Sequence, residues 1–190
     1  MPRGWARRAQ VLPDSGLGSG TGRGPLSFVL GGARSGKSAH AERLIEAHPA
    51  PWCYIATARA FDDEMRVRIA EHRARRGGRW HTLDAPIALA ETLDSVPDGQ
   101  PVLIDCLTLW LTNVMLGEHD VEAASRRLLR ALTAPRGPWV VVSNEVGLGI
   151  VPENALARRF RDAAGRLNQQ VAAAADEVTL MVAGLPMKVK

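Results

Sequence analysis

A chain of 190 residues with 46% hydrophobic and 23% charged side chains can build one sizeable core and is short for two domains. No apolar run approaches the roughly 20 residues that a membrane-spanning helix needs, so a soluble protein without a membrane span is expected. The net charge is +4, but residues 1–25 hold Arg3, Arg7, Arg8 and Arg23 against Asp14 alone, so most of the excess lies in one tail and no nucleic-acid-binding face is expected.

Residues 1–25 are rich in Gly, Arg, Ser and Pro and show neither strand nor helix periodicity, so they read as a disordered extension or a start placed too early. The glycines from Gly16 to Gly24 lack the preceding strand that a dinucleotide fingerprint requires. Arg7-Arg8 is not followed by a long apolar segment, which argues against a twin-arginine or secretory signal and makes the cytoplasm the expected compartment.

From Leu26 onward, short apolar runs alternate with helix-length amphipathic segments. That alternation predicts a single α/β domain over 26–190, with a mainly parallel sheet flanked by helices. Strands are expected at Leu26–Leu30, Trp52–Ala56, Trp80–Leu83, Val102–Ile104, Trp139–Val142 and Glu177–Val182. Helices are expected at Lys37–Ala47, Asp62–Arg76, Pro86–Leu93, after Cys106, at Val121–Leu132 and at Glu153–Ala175, with Pro152 opening the last one. Cys53 and Cys106 have no metal-ligand spacing and read as small buried thiols without a disulfide.

The first strand runs into Gly31, Gly32, Ala33, Arg34, Ser35, Gly36, Lys37 and Ser38, a complete G-x-x-x-x-G-K-S followed by helix-forming residues. Glycines let consecutive backbone N–H groups turn toward one anion, and the helix N-terminus adds partial positive charge. Lys37 is expected to reach the β- and γ-phosphates, and the Ser38 hydroxyl to ligate Mg²⁺. Of the chain's three lysines, Lys188 and Lys190 lie at the C-terminus, which leaves Lys37 as the sole internal one. A carboxylate beside that metal is expected at the end of a neighbouring strand, where Asp105 follows Val102–Ile104; capping the next helix is a compatible second role.

The segment Asp62–Arg76 places Met65, Ile69 and His72 on one helical face, with Arg68 and Arg76 four residues either side of the histidine. Nearby cations disfavour imidazolium and attract polyphosphate, as a histidine attacking phosphorus requires. A partly buried packing histidine on a basic helix satisfies the same pattern, so the residues alone leave both readings open.

Taken together, Gly31–Ser38, Tyr54–Ala58, Asp62–Met65 leading to His72-Arg73, Trp80–Thr82, Ser143–Pro152, Phe160–Asp162, Gly165, Asn168-Gln169 and Ala175-Asp176 closely resemble one family. This family is the bifunctional adenosylcobinamide kinase / adenosylcobinamide-phosphate guanylyltransferase, and the resemblance spans about residues 27–190. It implies a recombinase-like P-loop NTPase fold with Mg²⁺ as cofactor and GTP and ATP as substrates. One reaction phosphorylates adenosylcobinamide; the other transfers GMP to adenosylcobinamide phosphate through a guanylylated histidine at His72. By the same likeness Thr57, Ala58, Arg59, Arg73, Ala74, Arg75, Arg76, Asp84 and Asp105 line the nucleotide site, and the assembly is a homotrimer. The family usually carries Glu where Asp84 stands, so the contact there is made by a shorter arm. An ordinary small-molecule P-loop kinase without a covalent intermediate is the alternative. Glu145 is a candidate to orient the acceptor hydroxyl or to brace its own glycine-rich turn.

Overall fold

The computed structural model describes residues 22–59 and 77–190; the expected helix Asp62–Arg76 lies outside them. Strands β1 (Leu26–Gly31), β2 (Trp52–Ala56), β3 (Trp80–Asp84), β4 (Val102–Asp105), β5 (Trp139–Asn144), β6 (Glu177–Val182) and β7 (Leu185–Lys188) form one sheet in the order β3-β2-β4-β5-β1-β6-β7. All neighbours are parallel except β6 and β7. Helices α1 (Lys37–Glu46), α2 (Leu89–Ser95), α3 (Leu107–Leu116), α4 (Val121–Thr133) and α5 (Ala155–Ala174) cover it.

The central strands are apolar on both faces because both faces are covered. Leu26, Phe28, Cys53, Ile55, Val102, Ile104, Trp139 and Val141 point into a core shared with α2 to α5. Their chain neighbours Val29, Trp52, Tyr54, Leu103, Val140 and Val142 point the other way, toward Ala41 and Ile45 of α1. This alternation is the two-residue period of a strand. Cys53 and Cys106 are buried and free, and burial pushes their thiols up to about 12 and about 11. Trp52, Trp110 and Trp139 are core residues, so they are not available as a stacking platform for bases.

Within the described residues, the expected strands and helices appear within a few residues of their predicted bounds, with two differences. The last helix begins at Ala155, not at Pro152, because Asn154 is the N-cap and its side chain accepts from Ala157 N at 3.1 Å. An Asx side chain meets an orphan N–H at this end, which the proline cannot do. The second difference is β7, which the sequence reading missed. Ala183 and Gly184, both at positive φ, turn the chain back so that β7 pairs antiparallel with β6. At the far end of this strand Lys190 Nζ donates to the carbonyls of Ala172, Ala173 and Ala175, satisfying the C-terminus of α5.

Because β1 to β5 run parallel, their C-terminal ends and exit loops gather at one edge of the sheet. The α5 cap is expected to hold the helix that braces this edge. Asn154→Ala should cost about 1 kcal/mol and lower the melting temperature by about 2–4 °C in a thermal unfolding scan, with the fold retained by circular dichroism.

Candidate active site

The loop from Gly31 to Ser38 leaves β1 and enters α1, whose N-cap is Gly36. Its glycines answer to contacts as well as to conformation. A Cβ on Gly31 would lie 2.6 Å from Met181 O, and Gly36 has φ +92 with a built Cβ 3.3 Å from Gly184 Cα. Strand β6 and the β6–β7 turn therefore press directly on the loop, and Gly184 N donates to Ser35 O at 3.0 Å. Arg34 adopts a positive φ of 55° and is exposed at the rim with Gly32 and Ala33. The Ser35 hydroxyl is buried without a hydrogen-bond partner inside the curl of the loop, a polar atom suited to a ligand oxygen.

Lys37 is buried, and its Nζ donates to Gly32 O at 2.5 Å, so the ammonium is folded within the loop. Burial lowers its pKa, while the charges of Cys106 and Asp105 act to raise it. The Cys106 thiol is itself pushed up to about 11, chiefly by burial. A polyphosphate in the loop would add to the stabilisation of the ammonium form.

Asp105 ends β4, and its Oδ2 accepts from Ser38 Oγ at 2.9 Å and from Tyr54 Oη at 3.2 Å. The following helix α3 has Cys106 as its N-cap with no side-chain cap bond, so the carboxylate faces the loop rather than capping the helix. A serine hydroxyl and a carboxylate are hard oxygen donors, which fit a Mg²⁺ ion that takes its remaining ligands from water and phosphate. Among the described residues no group of three or more His, Cys, Asp or Glu side chains gathers for an all-protein metal cage.

The other exits stand beside these two. Ala56 pairs with Asp84 on one side and with Asp105 on the other, so the two carboxylates flank the end of β2. At the usual spacing of neighbouring strands they are roughly 10 Å apart along the sheet edge. Thr57 is fully buried; its hydroxyl donates to Cys106 O and accepts from Cys106 N, both at 2.7 Å. Ala58 and Arg59 continue outward from it, Arg59 exposed. Glu145 N donates to Gly31 O at 3.0 Å, which joins the β5 exit to the start of the loop, and Glu145 Oε1 accepts from Gly147 N at 2.5 Å. The bracing contact considered for Glu145 is thus present. His72, Arg73, Ala74, Arg75 and Arg76 lie outside the described residues.

Sequence reasoning missed a buried amide and hydroxyl set behind these loops. Asn113 Nδ2 donates to Thr57 O at 2.7 Å and to Pro86 O at 3.1 Å. Asn144 Nδ2 donates to Thr108 Oγ1 at 2.7 Å, and Asn168 Nδ2 to Asn144 O at 3.2 Å. The available signal was the polar residues Thr108, Thr112 and Asn113 in the otherwise apolar run Leu107–Leu116.

A glycine-rich loop between the first strand and first helix, with Lys37 inside it and Ser38 bonded to a strand-end aspartate, defines a P-loop nucleotide-binding protein. The family described as cobinamide kinase / cobinamide phosphate guanyltransferase matches residues 27–189, and the chain belongs to it. A Pseudomonas aeruginosa protein named bifunctional adenosylcobalamin biosynthesis protein CobP is 52% identical over 166 residues, 86% of this chain and 96% of that protein. The Salmonella typhimurium bifunctional adenosylcobalamin biosynthesis protein CobU is 46% identical over 182 residues, 87% of this chain and 99% of its own length. Among solved structures, the ATPase EscN of the enteropathogenic E. coli type III secretion system superposes with TM-score 0.52 at 12% identity, over 84% of this chain and 43% of that one. That likeness concerns the fold alone.

Asp105→Asn keeps the size of the side chain and an acceptor for Ser38 but removes its charge. Half-saturation by Mg²⁺ should shift upward at least about tenfold, the loss typical when a carboxylate supporting a metal site is removed. A Mg²⁺ titration of nucleotide turnover checks this, and an unchanged midpoint excludes Asp105 from the metal site.

Proposed function

We propose that this protein phosphorylates adenosylcobinamide with ATP or GTP and transfers GMP from GTP to adenosylcobinamide phosphate, giving adenosyl-GDP-cobinamide. The observation that carries the reading is the Ser38–Asp105 pair beside Lys37 in a complete phosphate loop, in a chain that belongs to the cobinamide kinase / guanyltransferase family. Both reactions need a triphosphate held at its phosphates, and one cradle serves both.

For guanylyl transfer, a neutral ring nitrogen of His72 attacks the α-phosphorus of GTP. The P–N bond forms as the bond to pyrophosphate breaks, and the ammonium of Lys37 offsets the charge that appears on the leaving group. A phosphate oxygen of the corrinoid then attacks the same phosphorus, the P–N bond breaks, and His72 is restored. Two displacements let one site take a nucleotide and then a bulky acceptor in turn. For the kinase reaction, the acceptor hydroxyl attacks the γ-phosphorus directly; the bond to the β,γ-bridging oxygen breaks, the nucleoside diphosphate leaves, and the hydroxyl proton passes to solvent. Mg²⁺ held by Ser38 and Asp105 supplies charge neutralisation at the phosphates. In this reading Thr57, Ala58, Arg59 and residues 73–76 line the nucleotide, and Asp84 meets its guanine or ribose.

The working compartment in this reading is the cytoplasm, where nucleoside triphosphates are available. The assembly in this reading is a homotrimer, as the family resemblance implies; the apolar side chains Leu185, Met187 and Val189, exposed on and beside the edge strand β7, offer surface for a subunit contact without fixing its order.

Lys37→Ala is expected to abolish both activities while the protein remains folded, because the triphosphate then lacks its main counter-charge. Unaltered kinase turnover in that variant would argue against a shared cradle. Incubation with α-labelled GTP is expected to leave an acid-labile, alkali-stable label that maps to His72. His72→Ala should lose this label and guanylyl transfer yet retain kinase activity. Absence of label on the unaltered enzyme would favour an ordinary small-molecule kinase without a covalent intermediate.

A further inference from the structure

We propose that Asn113 is a positioning residue that braces the base end of the nucleotide site against its phosphate end. This rests on the functional reading above, in which Asp84 meets the guanine or ribose.

Asn113 is 2% exposed on a helix whose other buried residues are mostly apolar. Such an amide is costly to bury unless its polar atoms are paired. Both protons of its NH₂ group are used, on Thr57 O and Pro86 O. Because both partners are carbonyls, only the NH₂ end of the amide can face them, so its orientation is unambiguous.

The two carbonyls belong to different exit loops. Thr57 opens the segment that leads to Arg59 after β2, and Pro86 lies two residues beyond Asp84 after β3. Thr57 is itself fastened to the end of β4. Its N–H donates to Asp105 O at 3.2 Å, and its hydroxyl clamps both backbone groups of Cys106. A single side chain thus ties the loop that follows Asp84 to a backbone already locked onto Asp105. Neither bond of Asn113 reaches residues 31–38, which are held by β6, the β6–β7 turn, Glu145 N and, at Ser38, the Asp105 carboxylate. The cradle makes no direct bond to Asn113, whereas the backbone just beyond Asp84, set in register by the β2–β3 ladder and the bond from Ala85 N to Ala56 O at 2.8 Å, is braced by it at Pro86.

The consequence is selective. GTP spans both ends of the site and requires the correct offset; inorganic tripolyphosphate occupies only the cradle. A displacement of about 1 Å in a positioned group is enough to lose up to two orders of magnitude. Leucine at 113 keeps the volume and removes both donors, and alanine removes the side chain.

The test is calorimetric binding of Mg-GTP and of Mg-tripolyphosphate to the full-length unaltered protein, Asn113→Leu and Asn113→Ala. The expected result is a loss of at least about tenfold in GTP affinity for both variants, with tripolyphosphate affinity within about twofold of the unaltered protein. Equal weakening of both ligands, as general destabilisation would give, overturns the proposal, and so does unchanged GTP binding. If the unaltered protein binds GTP no better than tripolyphosphate, the assignment of Asp84 to the base falls and the proposal falls with it. Clear discrimination by the unaltered protein that both variants retain overturns the role of Asn113 alone.

Discussion

The hydrogen bond from Ser38 to Asp105 joins two strands that are not neighbours. In the sheet order β5 lies between β1 and β4, so the pair must reach across the end of an intervening strand. Helix α1 makes this possible by packing over β1, β4 and β5 on one face, which carries Ser38 sideways from the end of its own strand. The crossing also requires parallel register, since reversing any one of these strands would move its terminal polar residue to the opposite edge. Burial of Val29, Leu103 and Val142 with Ala41 and Ile45 holds that register. The chemistry of the edge is thus secured by a hydrophobic face behind it.

On the opposite face, buried polar groups connect the helices to the exit loops. Thr57, Asn113, Thr108, Asn144 and Asn168 join the ends of β2, β4 and β5 to α3 and α5. Inside a core, a hydrogen bond has few water competitors, so such a set favours one arrangement of the loops over its neighbours. Loops alone would not do this, because the backbone beyond a strand end has lost its ladder partner on at least one side.

How far the sequence foretold this structure depends on how local each feature is. The phosphate loop was legible because every residue of its motif falls within eight positions, between a strand and a helix. The central strands were legible because burial on both faces leaves a continuous apolar run. The edge strand β7 was not, since all four of its residues are exposed and Pro186 lies within it. The start of α5 was misplaced because Pro152 also fits a helix start, and only the geometry shows Asn154 reaching the free N–H of Ala157. Asn113 showed only as a polar residue in a mostly apolar run; which groups it and Asn168 bond was not legible, because their partners are 24 to 56 residues away. The pairing of Asp105 with Ser38 was foreseen as a shared metal site; the additional bond from Tyr54 was not.

The contact between the β6–β7 turn and the phosphate loop has a consequence in time. The loop begins at Gly31, yet the groups that press on it, Met181 and Gly184, come about 150 residues later in the chain. Strand β6 must also insert beside β1 before that pressure exists. A nascent chain therefore carries the whole phosphate motif long before it carries the walls that shape it. The walls of the phosphate loop are complete only once β6 and the β6–β7 turn have been made and placed beside β1.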